Sequence, residues 1–410
     1  MNIEKKEKLA IHGGTPLRKM PMPPRMAIGP DEMDIVNEAL EHYQKKQVDL
    51  PYDGDYKIKL CKAFSEYMGG GYTDAVSSGT AAVYTSLLSL NLPKGSEVII
   101  SPVTDSAPLN CVILQGYTPV ISDSKPESYN AGLEQLLEKT TDNTSCYLLI
   151  HAGGEPMDDI EDVVHEAHKR DIKVLEDCSQ AIGATLENDN TKMGAYGDIA
   201  AFSTMYRKNL MSGSSGGIVF TKNKYLYHMA LAHANRGREI WNVKDVKDPS
   251  HALFPALNFN TNEISCAICL SSLKRLDDTN EKRRQFLRNF INVLKKKSKF
   301  CSPSNFHDGF APFFFPIYVN TENLSCSKKE FAQALIAEGV PLHPHFSSVI
   351  SMWKWAEPYI KHGFSYPNAE MRRDRSFNLF LNEKYTEKEA NDIVECICKV
   401  ENYYRKEYNE

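Results

Sequence analysis

The chain has 410 residues, more than one hydrophobic core usually organises, so a large domain with a smaller companion is expected. With 42% hydrophobic and 25% charged residues, it has no stretch near the roughly 20 apolar residues of a membrane helix, which argues against a membrane protein. A net charge of −5 offers no basic field for a phosphate backbone, so nucleic acid is not expected as a partner.

In chain order, the start MNIEKKEKLAIHGGTPLRK is charged and lacks an apolar signal core, so a cytoplasmic protein is expected. The first 30 or so residues read as an extended arm that packs on the C-terminal part and enters a helix at GPDEMDIVNEALEHY. The tract MGGGYTD resembles part of a glycine-rich dinucleotide loop but precedes no helix and lacks the required spacing. From about 57 to 220, short apolar runs alternate with amphipathic segments. The strand candidates are EVIISP (97–102), TPVISD (118–123), SCYLLIHA (145–152), IKVLED (172–177), DIAAFS (198–203) and GIVFT (217–221). Between them, MDDIEDVVHEAHKR (157–170) sets Ile160, Val163, Val164 and Ala167 at helical spacing, with acids early and bases late. This alternation predicts an α/β fold with a mostly parallel sheet covered by helices on both faces. After about 265 come a long helical pattern, the strand candidate APFFFPIYV (311–319) and an amphipathic helix, TEKEANDIVECICKVENYYRK. These read as a smaller α+β domain. The expected division is a large domain over 36–265 and a small one over 266–410, joined by 1–35.

Ten cysteines lie mostly in apolar runs and read as buried thiols. Cys266 and Cys269 have the spacing of half a zinc site, but no second ligand pair follows, so no metal is expected.

Ligands of open α/β sheets collect at strand carboxyl ends. In SSGTAAVYTSLLSL (77–90), Gly79 permits close backbone approach, Thr80 offers a capping hydroxyl, and the first-turn N–H groups suit an anion. In VLEDCSQAIGA, Asp177 ends an apolar strand. There it either holds a cation, such as a protonated pyridine nitrogen, or caps the next segment. In DIAAFSTMYRKNLMSGSSGGIVFT, Ser203 and Lys208 follow a strand and precede the turn Gly213–Gly217. A positioned, desolvated lysine beside a phosphate-binding hydroxyl is what Schiff-base chemistry needs. His151 ends another strand and is a candidate for the same site.

The blocks LAIHGGTPLR, SSGTAA, GSEVIISPVT, EDCSQAIGA, MGAYGDIAAFST followed by KN, the later SGG and ALNFNTNEISCA occur in an order and spacing that resembles the DegT/DnrJ/StrS-type sugar aminotransferases. Those are pyridoxal-phosphate (PLP) enzymes of the aspartate-aminotransferase fold, fold type I, and the resemblance spans almost the whole chain. It implies that Lys208 forms the Schiff base and that Asp177 holds the pyridine nitrogen protonated, making the ring an electron sink. It further implies Gln180 near the ring hydroxyl and Thr80, Ala81 and Ser203 in the phosphate cradle. Asn258 would reach the phosphate of the neighbouring subunit in a homodimer with shared sites. The implied reaction moves an amino group from glutamate or glutamine to a keto-sugar, nucleotide-linked or free, or to a keto-cyclitol, with Lys208 as general base and acid. The segment HPHF with SSVISMWKW lies where the family's substrate-side segment runs. His343, His345, Trp353 and Trp355 there are candidates for the acceptor pocket, with plain packing as the alternative.

Several positions depart from the family pattern. Asp105 stands where an aromatic residue usually stacks on the cofactor ring, so it is a candidate to address the substrate. Met205-Tyr206 replaces a His-Pro pair, Ser214 or Ser215 replaces an acid, and Asn260 replaces an arginine. Two rival readings keep the fold: a PLP-dependent sugar dehydratase, whose members carry histidine where this chain keeps Lys208, and a non-catalytic sensor or scaffold.

Overall fold

The computed structural model describes residues 7–406 except 243–248, 362 and 364. The first half carries α1 (Pro30–Lys46), α2 (Asp55–Tyr67), β1 (Tyr72–Val76), α3 (Gly79–Ser89), β2 (Glu97–Ile100), α4 (Ser106–Leu114), β3 (Thr118–Ile121) and α5 (Leu133–Lys139). It continues through β4 (Thr144–Ile150), α6 (Ile160–Lys169), β5 (Lys173–Asp177), β6 (Ile199–Ser203), β7 (Gly217–Thr221), α7 (Lys224–Ala234) and α8 (Glu263–Lys274).

The seven strands form one sheet in the order β1-β7-β6-β5-β4-β2-β3. Strands β3, β2, β4, β5 and β6 run parallel, and β7 is antiparallel to both β6 and β1. The six expected runs are β2 to β7. Alternation along each strand feeds two cores. In β4, Tyr147 and Leu149 pack with α2, α6 and α8, whereas Cys146, Leu148 and Ile150 pack with α3, α4 and α7. Both faces are therefore covered, as a parallel sheet requires. Strand β1 was not among the expected runs, because its Asp74 is a buried acid, paired with the buried Lys57 of α2 at 2.8 Å. The three glycines of MGGGYTD all have positive φ and turn the chain from α2 into this strand.

The remainder carries α9 (Leu276–Lys297), β8 (Cys301–Pro303), β9 (Phe314–Val319), α10 (Lys328–Ala337), β10 (Leu342–His343), α11 (Pro367–Arg375), β11 (Ser376–Phe380) and α12 (Glu387–Tyr404). An antiparallel sheet in the order β10-β11-β9-β8 packs Phe315, Ile317, Phe377 and Leu379 against Phe286, Phe290, Val394 and Ile397. Capping boxes at Ser327–Glu330 and Thr386–Glu389 start α10 and α12. The long helical pattern is two helices, broken at Arg275. A division at 265/266 would cut α8, whose Cys266, Ala267, Cys269 and Leu273 belong to the large-sheet core. Val349, Ile350 and Ala369 from the C-terminal part pack on that sheet's other face. We propose that the smaller unit begins within α9, where burial passes from Leu276 in the large core to Phe286 in the small one.

The arm packs on the smaller unit through buried Leu9, through Ala10 and Leu17 N–H bonds to Glu338, and through Arg18 paired with Asp392. It then enters α1, whose Glu32 binds Ser271 and Arg275 of α8 and α9's start. All ten cysteines are free thiols, seven of them buried. No helix among the described residues is long and apolar enough to cross a membrane.

Candidate active site

A cavity of about 610 Å³ opens at the carboxyl ends of three neighbouring strands, lined by the last residues of β4, β5 and β6: Ile150, Asp177 and Ser203. The start of α3 supplies Ser78, Gly79 and Thr80, and the smaller unit closes the cavity with Phe313, Phe314 and Phe346. Ser78, not Thr80, caps α3, its Oγ accepting the Ala81 N–H at 3.0 Å. Thr80 is exposed in the cavity wall, while Ala81 is buried outside it with its N–H already engaged. Gly79 is needed for close approach: a Cβ there would lie 2.5 Å from Ser203 Cβ. Gly79→Ala is expected to push α3 off β6 and weaken phosphate binding at least tenfold, measured by titration with inorganic phosphate and with pyridoxal phosphate.

Lys208 lies between β6 and β7. Thr204 Oγ1 and Ser212 Oγ pair at 2.6 Å across this loop, and the Lys208 N–H bonds the Met205 carbonyl at 2.8 Å. The glycine-rich turn presses the loop on α3, since a Cβ at Gly217 would meet the Ser78 carbonyl at 2.2 Å. Lys208 is 8% exposed and its Nζ stands 4.4 Å from the Phe313 ring centroid. Burial pulls its pKa down to about 8, opposed by the charges of Asp177 and Asp105. About a tenth of the amine is then neutral at pH 7, against roughly 1 in 2,500 for an ordinary lysine.

Asp177 is 6% exposed and accepts the Ser179 N–H at 3.0 Å, which makes it the cap of a turn. Burial raises its pKa, against the pull of the Ser179 bonds, Lys208 and His151. Acid and amine are thus both driven toward neutrality, and a bound cation beside Asp177 would relieve the acid. Gln180 also lines the cavity, its Oε1 accepting the Gly153 N–H at 2.7 Å.

Other expected residues lie elsewhere. His151 is fully buried outside the cavity. Its Nδ1 accepts the Met157 N–H at 3.3 Å, so Nε2 carries the proton and faces Glu176 at 3.1 Å. Glu176 also accepts the N–H groups of Gly194, Tyr196 and Gly197. Glu176, His151 and the nearby Cys178 are therefore a structural knot whose carboxylate is already saturated. His343 pairs across β10 and β11 with Asn378, and His345 sits 3.4 Å from Lys328. Neither lines the cavity; of HPHF, Phe346 does. Trp353 stacks on Trp355 and bonds the Ser347 carbonyl, also outside it. Asp105 does line the cavity, but its carboxylate caps α4 through the Ala107 N–H at 3.1 Å. Asn258 is exposed, lies outside this chain's own cavity and accepts from Asn260. Among the cavity residues that sequence reasoning missed are Arg25 from the arm, Arg207 and the aromatics Phe313, Phe314, Phe346, Phe380 and Tyr385. The run APFFFPIYV carried a signal for two of them, since strand alternation must send part of an unbroken aromatic run away from the small core.

A buried lysine, about a tenth of it neutral at pH 7, and a buried carboxylate thus line one strand-end cavity, the kind of perturbed pair that marks a candidate enzyme site. The chain belongs to the DegT/DnrJ/EryC1/StrS aminotransferase family, whose model matches residues 30–398. It is 29% identical over 355 residues to the GDP-perosamine synthase of Escherichia coli O157:H7, covering 85% of this chain and 89% of that protein. Among solved structures it is similar to the aminotransferase from Psychrobacter cryohalolentis, with TM-score 0.83, 24% identity and coverage of 92% of this chain and 98% of that one. It is also similar to the E. coli GDP-4-keto-6-deoxy-D-mannose-3-dehydratase with bound hydrated PLP, with TM-score 0.80, 21% identity and coverage of 90% and 97%. The fold is accordingly fold type I.

Proposed function

We propose that this chain uses pyridoxal phosphate to move an amino group from glutamate or glutamine to a keto-sugar, nucleotide-linked or free, or to a keto-cyclitol. The observation that carries this reading is the buried Lys208–Asp177 arrangement at the strand-end cavity. Asp177 would hold the ring nitrogen, Gln180 the ring edge, and Gly79, Thr80 and Ser203 the phosphate. The close Gly79–Ser203 contact makes a cradle that a side chain at 79 would fill. When bound, pyridoxal phosphate supplies a carbonyl for the transferred amine and a ring that takes up electron density. Lys208 then takes a proton from the donor's Cα and later returns one at the acceptor carbon, a role suited to an amine near pKa 8. Phe313, whose ring lies against that amine, shields it from water on that side. Arg207, exposed at the cavity wall over Tyr206, offers a guanidinium to an anionic donor or sugar phosphate. Retention of Lys208 separates this reading from a dehydratase.

A homodimer is part of the proposal. Exposed Val48, Leu50, Tyr52, Ile58, Leu253 and Leu257 are apolar surface that a second copy would cover, and exposed Asn258 would exchange its Asn260 contact for that copy's phosphate site. The ten free thiols accord with a reducing cytoplasm. To test the reaction, the protein loaded with pyridoxal phosphate is treated with glutamate and then with candidate acceptors. Glutamate is expected to bleach the visible band, and a keto-sugar or keto-cyclitol to restore it. Failure of every such acceptor to restore a band that glutamate bleaches would overturn the acceptor class.

A further inference from the structure

Lys208 sits on an irregular loop, and an amine so placed needs external bracing to keep one position. Arg25 braces the loop on both sides of the lysine. Its Nη1 donates to the Tyr206 carbonyl at 2.9 Å, and its Nη2 to the Asn209 carbonyl at 3.3 Å. Its Nε donates to Glu383 Oε1 at 3.1 Å. Glu383 Oε2 in turn accepts from Arg283 Nη2 at 2.9 Å. Arg283, 1% exposed, closes the ring by donating through Nη1 to Asn209 Oδ1 at 2.6 Å and to the Pro312 carbonyl at 3.0 Å. The N-terminal arm, α9 and the segment before α12 thus meet at the lysine loop. Pro312 precedes Phe313, whose ring faces the Lys208 amine, so the same ring of bonds holds both the lysine and its apolar cover. The planar guanidinium fork suits three acceptors in fixed directions, and a lysine ammonium does not.

We propose that Arg25 is a positioning residue for Lys208, clamping the carbonyls on either side of it to Glu383 so that the amine stays inside the cavity. The proposal rests on the reading of Lys208 as the reactive amine. Charged groups facing that amine are Asp177 from β5 and Asp105 at the start of α4, with Arg207 and Arg25 in the cavity wall.

The test labels the cofactor-free protein with an amine-acylating reagent across a pH series and reads modification of Lys208 by mass spectrometry. In the wild type the labelling midpoint is expected at about pH 8. In Arg25→Gln the amine reaches water, and the midpoint is expected to rise by at least about one unit toward the ordinary lysine value, a tenfold loss of neutral amine at pH 7. Arg25→Lys is expected to recover less than half of that shift. An unchanged midpoint in folded Arg25→Gln overturns the clamp. If that variant does not fold, Glu383→Gln, which keeps an acceptor for Arg25 but removes the charge that anchors both Arg25 and Arg283, carries the same expectation and the same refutation. A wild-type Lys208 that labels like a surface lysine overturns the reading of Lys208 instead, independently of Arg25.

Discussion

Lys208→Ala is expected to lower kcat by at least about 10³-fold, because one side chain serves as both nucleophile and proton carrier. The fold should survive. Nζ has no hydrogen-bond partner among the described residues and lies over the Phe313 ring, and the Lys208 N–H bond to Met205 is independent of the side chain. The pH dependence of stability separates this account from a merely structural lysine. The folded pKa of about 8 lies below the unfolded value of about 10.4, so the unfolded chain binds more protons between them. Stability of the cofactor-free wild type should therefore rise from about pH 8 to 10.4, and below pH 8 the buried charge costs its full amount. Lys208→Ala should lack that rise and should be the more stable protein at pH 6, as thermal melts across pH would read.

Asp177→Asn is expected to lower kcat by about 10²- to 10³-fold, the range for losing one preorganised electrostatic partner, and to weaken pyridoxal phosphate binding. In the cofactor-free protein the same change should raise the thermal midpoint at pH 7. Burial holds the folded pKa of Asp177 above its ordinary value, so this group's contribution to stability is lost as pH rises through that folded pKa. Asparagine removes the buried charge, and its Oδ1 still accepts the Ser179 N–H. The Lys208 labelling midpoint should also fall below 8, because Asp177 is one of the charges that raise it. Gain of stability with loss of activity is the signature of a group kept for chemistry rather than for folding.

Strands β2 to β7 were legible because strands covered on both faces are short, mostly apolar runs. Strand β1 hid its pairing behind Asp74, whose partner Lys57 lies 17 positions earlier, and β8 and β10 are too short to show a period. At the proposed site, Lys208 and Asp177, which the structure brings to one cavity, were legible as polar residues that follow apolar strands. His151 was misplaced because of strand register. Ile150 pairs with Asp177 across β4 and β5, and both line the cavity. Their neighbours His151 and Glu176 lie outside it, hydrogen-bonded to each other. Ligand-bearing positions at two adjacent strand ends must share a face, and once the register is known that rule separates Asp177 from His151. Arg25 was beyond such reasoning: it lies 183 positions before Lys208, in an arm with no period, and only the folded chain brings it to the Tyr206 and Asn209 carbonyls.

The central claim is that Lys208 bonds the cofactor. Its most direct measurement is the absorbance spectrum of purified protein on addition of pyridoxal phosphate, compared between wild type and Lys208→Ala. A visible band in the wild type that is absent from the folded variant is predicted; no band in the wild type, or an equal band in both, would contradict the account.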